Sequence, residues 1–228
     1  MSADALREAE RESQLEAAPA VAVVIGLQVL LAVVSREQEW TLWHLSWWLW
    51  LVPVVPEVVL LGALTWRRPR RQLEQMGVRR ETELVLLGIL TAANALLVFA
   101  VIASLVSGDE KSGSQLLLKS VTVWGSNVVT FGLWYWIVDG GGPVSRLESS
   151  TAPNDFQFPQ MENPDLAPKD WRPHLMDYVY VSFTNALAFS PTDAMPLTHR
   201  AKLLMLSESA MSALTILLVT ARAVNIFK

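Results

Sequence analysis

The chain has no cysteine, which removes disulfides, thiolate nucleophiles and thiolate-based metal centres together. It has three histidines, His44, His174 and His199, far apart in sequence and at or near the ends of predicted segments, so a histidine metal cluster is not expected. A His-Glu-x-x-His helix, a Gly-x-Ser-x-Gly elbow and a glycine-rich nucleotide loop are all missing. Without those parts there is no recognisable catalytic constellation; the expectation is a protein that is not an enzyme and needs no cofactor or metal. Strong net charge is missing too. The formal value is -4, and the basic residues gather in one place, which argues against nucleic acid as a partner. The opening "MSADALREAERESQLEAA" is acidic where an export signal starts with positive charge, so the apolar run behind it reads as retained.

Apolar residues are what the chain has in excess. They make up 52% of its 228 residues, with 10 Trp among them, more than a soluble domain of this length usually carries. A bilayer core about 30 Å thick needs roughly 20 largely apolar residues in a helix. Five runs qualify: Ala17 to Val34, Trp40 to Trp66, Leu84 to Val106, Gln115 to Val138 and Leu203 to Phe227. A sixth, Leu175 to Phe189, is shorter and carries Asp177. The predicted fold is all-α and integral to the membrane, with five transmembrane helices plus a short re-entrant, pore-helix-like segment.

Four regions follow: an acidic cytoplasmic segment (1–16), a four-helix membrane region (17–138), a Gly/Pro-rich loop (139–172), and the re-entrant helix, turn and last span (173–228). The run "RRPRRQLEQMGVRR", Arg67 to Arg80, holds six Arg in 14 positions and predicts a cytoplasmic connection between the second and third spans. Trp40, Trp43, Trp47, Trp48, Trp134 and Trp136 suit the headgroup boundary. The loop opens on "GGGP" and scatters prolines that forbid a continuous helix, with Phe156 and Phe158 expected to tuck it inward.

Ionisable or strongly polar side chains inside a span cost about 2.5 to 3.5 kcal/mol on insertion scales when charged, so each is a functional candidate. Glu57 follows Pro53 and Pro56, which free backbone carbonyls and bend the axis; it either lines a polar cavity or pairs with a cation on a neighbouring helix. Asn94 and Asn127, near the middles of the third and fourth spans, are expected to hydrogen-bond across a helix interface. Lys119 can snorkel outward. At about 100° per residue, Glu208, Ser212, Thr215 and Arg222 fall within about 80° of one another on the last span. Glu208, Ser212 and Thr215, with Ser190 and Asp193 at the mouth, form the candidate permeation or gating face, and Glu208 is expected to be unpaired there.

The stretch "SFTNALAFSPTDAMPLTHRAKLLMLSESAMSALTILLVTARAV" resembles the bacterial potassium-channel pore module in the spacing from Ser182 to Asp193, the turn at Pro196 to Thr198, Glu208 and Ala221-Arg222. The filter differs. Ala188, Phe189, Ser190, Pro191 and Thr192 stand where that family has Thr, Val, Gly, Tyr and Gly, and without the glycines the carbonyls cannot all turn to the axis. The chain also resembles a family of small bacterial inner-membrane proteins of unknown function. That likeness rests on Gly140 to Pro143, Phe158-Pro159, "MDYVYVSFTNALAFSPTD", Thr198 to Ala201 and Val224 to Ile226. It implies a multi-pass protein of the bacterial cytoplasmic (inner) membrane. The functional expectation is a channel-like or transport-associated protein that is not potassium-selective, with the lipid bilayer and a small ion as partners and a homo-oligomer if it forms a pore. The competing expectation is a non-conducting scaffold or regulator acting through partner binding.

Overall fold

In hydrocarbon a chain must satisfy its backbone polar groups internally, and long apolar runs do so as helices. The computed structural model, which describes residues 3–39, 46–107, 113–147, 153–169, 171–188 and 194–226, is helical almost throughout. Among the described residues five segments are long and apolar enough to cross a membrane: Ala17–Glu37, Trp47–Thr65, Arg79–Val106, Gly113–Gly141 and His199–Val224. The exposure pattern along them is inverted relative to a water-soluble protein. Val55, Val59, Phe99, Leu214 and Leu217 are exposed, while Glu57, Asn94, Lys119, Asn127 and Glu208 are buried. These are the features of an all-α, multi-pass membrane protein.

The helices divide into two compact units, Met1–Ala20 with Phe131–Ala210, and Val21–Thr130 with Met211–Lys228. Three helices run through both. These are α1 (Ala3–Glu37), with Pro19 in its interior, α5 (Gly113–Val138) and α9 (His199–Ile226).

The unit containing residues 21–130 adds α2 (Val54–Thr65), α3 (Arg67–Met76) and α4 (Arg79–Ser107). Its apolar core joins Leu31, Trp50, Leu97, Val101, Leu116 and Val123, with Met211 and Leu218 packed against them. Helix α2 lies along α4, and α3 touches both. Arg36, in the last turn of α1, stacks 5.0 Å from the ring of Trp47. The second span is not the single helix the sequence suggests. A 3-10 turn, Trp47–Leu51, precedes α2, and Pro53 caps the new helix, because Pro53 and Pro56 deny the carbonyls four residues back their usual donors. Lys119 also departs from expectation: it is 1% exposed, so its ammonium does not snorkel outward. Its place on the inner face of α5 overrides the reach of its stem.

The unit containing residues 131–210 breaks into short pieces, as its prolines require. After α5 come a 3-10 turn (Asp139–Gly141), α6 (Pro143–Leu147), β1 (Phe156–Gln157), α7 (Pro159–Glu162), a second 3-10 turn (Pro164–Leu166), α8 (Leu175–Ala188) and β2 (Met195–Pro196). The two strands pair antiparallel, Phe156 opposite Pro196. Gly140, Gly141 and Gly142 have φ of 56°, 81° and 105°, a left-handed run that only glycine adopts without strain. This turn folds α6 back so that Arg146 Nη1 donates to the carbonyls of Trp136 and Asp139, at 2.9 and 2.6 Å. Trp136, expected at the headgroup boundary, is 4% exposed and belongs to this packed end. A methyl at Gly132 would sit 2.9 Å from Val179 Cα, so α5 and α8 meet backbone to backbone there.

Candidate functional site

Among the described residues four buried carboxylates organise the polar interior: Asp139, Asp155 and Glu208 in one unit and Glu57 in the other, each 0% exposed. A carboxylate removed from water must find donors, a cation or a proton, and the four solve this differently.

Glu208 is surrounded by donors. Tyr135 Oη, Ser182 Oγ and Asn185 Nδ2 all donate to it, the last at 2.6 Å. Asn185 is itself fixed, because Nδ2 also lies 3.0 Å from the Met205 carbonyl and Oδ1 accepts from Ser209 Oγ at 3.1 Å. The expectation of an unpaired Glu208 therefore does not hold: α5 presents one donor to it and α8 two. Tyr135 carries no intramembrane signal in the sequence beyond its hydroxyl, and its partner is 73 residues away.

Asp139 sits where α5 ends. Its Oδ1 accepts from the backbone N–H of Asp155 and Phe156, at 2.6 and 3.1 Å, and its Oδ2 from Tyr178 Oη at 2.5 Å. Phe156 and Phe158, buried as their sequence context suggests, pack edge-on to Tyr178 with centroids 6.1 and 5.3 Å away. The Arg146 guanidinium lies 5.2 Å above the same ring. Burial pushes the Tyr178 phenol up; Arg146 draws it down by less, and the Asp139 charge adds to the rise. Tyr178 is therefore a permanent donor to Asp139.

Asp155 holds the loop to the start of α9. It pairs with Arg200 and accepts from Thr198 Oγ1, while its carbonyl accepts from Leu197 N at 2.8 Å. Burial pushes its pKa up, but the hydrogen bonds from Arg200 and Thr198 and the Arg200 charge outweigh it, so the carboxyl is held below the usual carboxylate range. A depressed folded-state value contributes stability that is present above the unfolded-state value and is lost as pH falls through the folded one. Unfolding in detergent is thus expected to grow easier as pH drops below the ordinary carboxylate range. Asp155→Asn is expected to flatten that part of the profile; an identical profile in the variant would remove Asp155 as its source. Because the Arg200 side chain is 54% exposed, the effect is modest.

Glu57 is different in kind. Gln28 Nε2 donates to its Oε1 at 3.3 Å, and its Oε2 has no partner. Among the described residues no cation faces it, so the lysine- or arginine-paired alternative does not apply. Asn94 and Asn127 do bond across their interface, Asn94 Nδ2 to Asn127 Oδ1 at 2.9 Å, and Asn127 Nδ2 continues to Ser212 Oγ at 3.1 Å. Thr215 turns its hydroxyl onto the Met211 carbonyl of its own helix at 2.8 Å. Ser190 and Asp193 lie outside the described residues. Gln28 and Ser126 drew no attention in sequence; a lone Gln inside a 21-residue apolar span is the signal that finds the first.

Among the described residues no three His, Asp or Glu side chains gather as a metal site. No protein-family model, curated protein or solved structure matches the chain.

Proposed function

We propose that this is a transport-associated protein of the bacterial cytoplasmic membrane, not an enzyme and not a selective potassium channel, in which a small ion is handled at an intramembrane carboxylate. The observation that supports this most is Glu57: wholly buried within the second span, with one oxygen bonded only to a neutral amide and the other to nothing. Uncompensated charge at that depth is costly enough that a purely architectural role is a poor explanation. Glu208, closed in by its three donors, is better suited to holding its own unit together than to exchanging an ion. In this reading the Arg67 to Arg80 run faces the cytoplasm, and α8, about 21 Å long at ~1.5 Å per residue against a core of roughly 30 Å, is re-entrant. An ion site built from one chain needs no oligomer, unlike a pore made from one hairpin per chain.

The competing reading, a non-conducting protein acting through partners, draws on the basic α3 and its exposed flanks, Trp66 at 76% and Met76 at 64%. Flux separates the two. Purified protein in liposomes is expected to pass sodium above the level of empty vesicles, without preference for potassium, and Glu57→Gln is expected to cut that flux at least about tenfold. No flux at all would favour the partner reading. A potassium-over-sodium ratio on the order of hundreds would restore a selective filter and overturn the proposal.

A further inference from the structure

A small cavity of about 20 Å³ lies in the unit of residues 21–130, lined by Gln28, Asn94 and Ser126 together with Leu31, Trp50 and Leu97. That is room for one water-sized body. Gln28, Asn94 and Ser126 are 6%, 2% and 1% exposed. Gln28 Oε1, Asn94 Oδ1, Ser126 Oγ and Glu57 Oε2 all lack hydrogen-bond partners. Glu57 stands one turn beyond Pro53, another lining residue, and is tied to the rim by Gln28.

The connectivity decides which atoms are left over. An ionised Glu57 can only accept, so Gln28 must present its nitrogen to the carboxylate, and its oxygen remains. Asn94 spends its nitrogen on Asn127, whose own nitrogen is spent on Ser212, so the Asn94 oxygen also remains. Two amide oxygens, a hydroxyl and a carboxylate oxygen form an acceptor-rich set whose only available proton is that of Ser126. The complement of such a set is a cation with a preference for hard oxygen ligands.

We propose that this cavity is a binding site for one monovalent cation of sodium's size, with Glu57 supplying the charge and Gln28, Asn94 and Ser126 the neutral oxygens. A water molecule would satisfy two acceptors but leave the carboxylate uncompensated. A divalent ion would leave a net positive charge in hydrocarbon and normally takes six or more oxygens. A single positive charge brings the site to neutrality, and the space is that of one water-sized body. The proposal deepens the transport reading by naming the ion, yet binding can be measured without a sealed vesicle, so the two fail separately.

The test uses the full chain in detergent with choline replacing sodium as the background cation. Radioactive sodium is expected to bind at one equivalent per chain, and the thermal midpoint is expected to rise with sodium because a ligand held only by the folded state stabilises it. Choline at the same concentration, too large for a water-sized space, is not expected to reproduce the rise. Glu57→Gln, nearly isosteric, is expected to weaken sodium binding at least about tenfold, and Ser126→Ala to weaken it by a smaller factor. Absence of bound sodium on folded wild-type protein overturns the site. So does a midpoint that follows pH but not sodium, which would mean that a proton alone occupies Glu57. Sodium bound at full affinity by both variants places the ion elsewhere and also overturns it. Binding without vesicle flux would keep the site and remove the transport reading.

Discussion

Asp139→Ala is expected to destabilise the unit containing residues 131–210 by about 3–5 kcal/mol, because it strands several buried donors at once. Three donors converge on this carboxylate, the amides of Asp155 and Phe156 and the hydroxyl of Tyr178, and alanine leaves them with no acceptor in a place water does not reach. Each buried group stranded in this way costs about 1–3 kcal/mol. Asp139→Asn provides the control. Its carbonyl can keep both amides, and its NH2 can donate to the Tyr178 oxygen, so most of the loss should be recovered. Unfolding in detergent, followed by the loss of helical circular dichroism, measures the three proteins side by side. An alanine variant within about 1 kcal/mol of wild type would show that the loop does not depend on Asp139.

Glu208→Leu is expected to cost a similar amount, about 3–5 kcal/mol, even though leucine fills nearly the same volume and suits lipid better. The cost arises around the substitution rather than at it. Tyr135, Ser182 and Asn185 all lose their acceptor, and Asn185 is held in place by Met205 and Ser209 and cannot turn away. Glu208→Gln is expected to lose only about 1–2 kcal/mol: its oxygen can serve Tyr135 and Asn185, and the Ser182 hydroxyl can reverse to accept from its nitrogen. The order of stabilities, wild type above Gln above Leu, is the readout. A Leu variant as stable as the Gln variant would show that the three donors find other partners and that Glu208 does not organise them.

The five spans were legible because spanning demands length and apolarity, both of which are read directly along a chain. The break at Pro53 was half legible: two prolines three apart announce a bend, but only the fold reveals that helix α2 starts afresh there. Lys119 departs from its sequence expectation because snorkelling depends on which face of α5 points outward, and the faces of an almost uniformly apolar helix look alike in sequence. Asp139 and Asp155 carry no signal of their own in the sequence. Their work is to accept backbone and side-chain donors from residues 16 to 45 positions away, and no local pattern records that pairing. Gln28 and Ser126 were invisible for a related reason: a polar atom left without a partner is a property of its surroundings, not of its residue type. Asn94 and Asn127, by contrast, were anticipated as bonded, since an amide in a span has few other options.

The contact at Gly132 bears on mechanics. With no side chain there, α5 and α8 touch through main-chain atoms, Val179 Cα and the missing methyl being 2.9 Å apart. Side chains can hop between rotamers and let helices slide past one another; here only the Val179 main chain and its stiff, β-branched side chain face Gly132. Residues 131–138 and α8 should therefore behave as a single stiff lever, fastened at one end by the Tyr178–Asp139 bond and at the other by the groups around Glu208. A rearrangement of this unit would have to swing the lever whole, because the pair has no internal joint at which to yield.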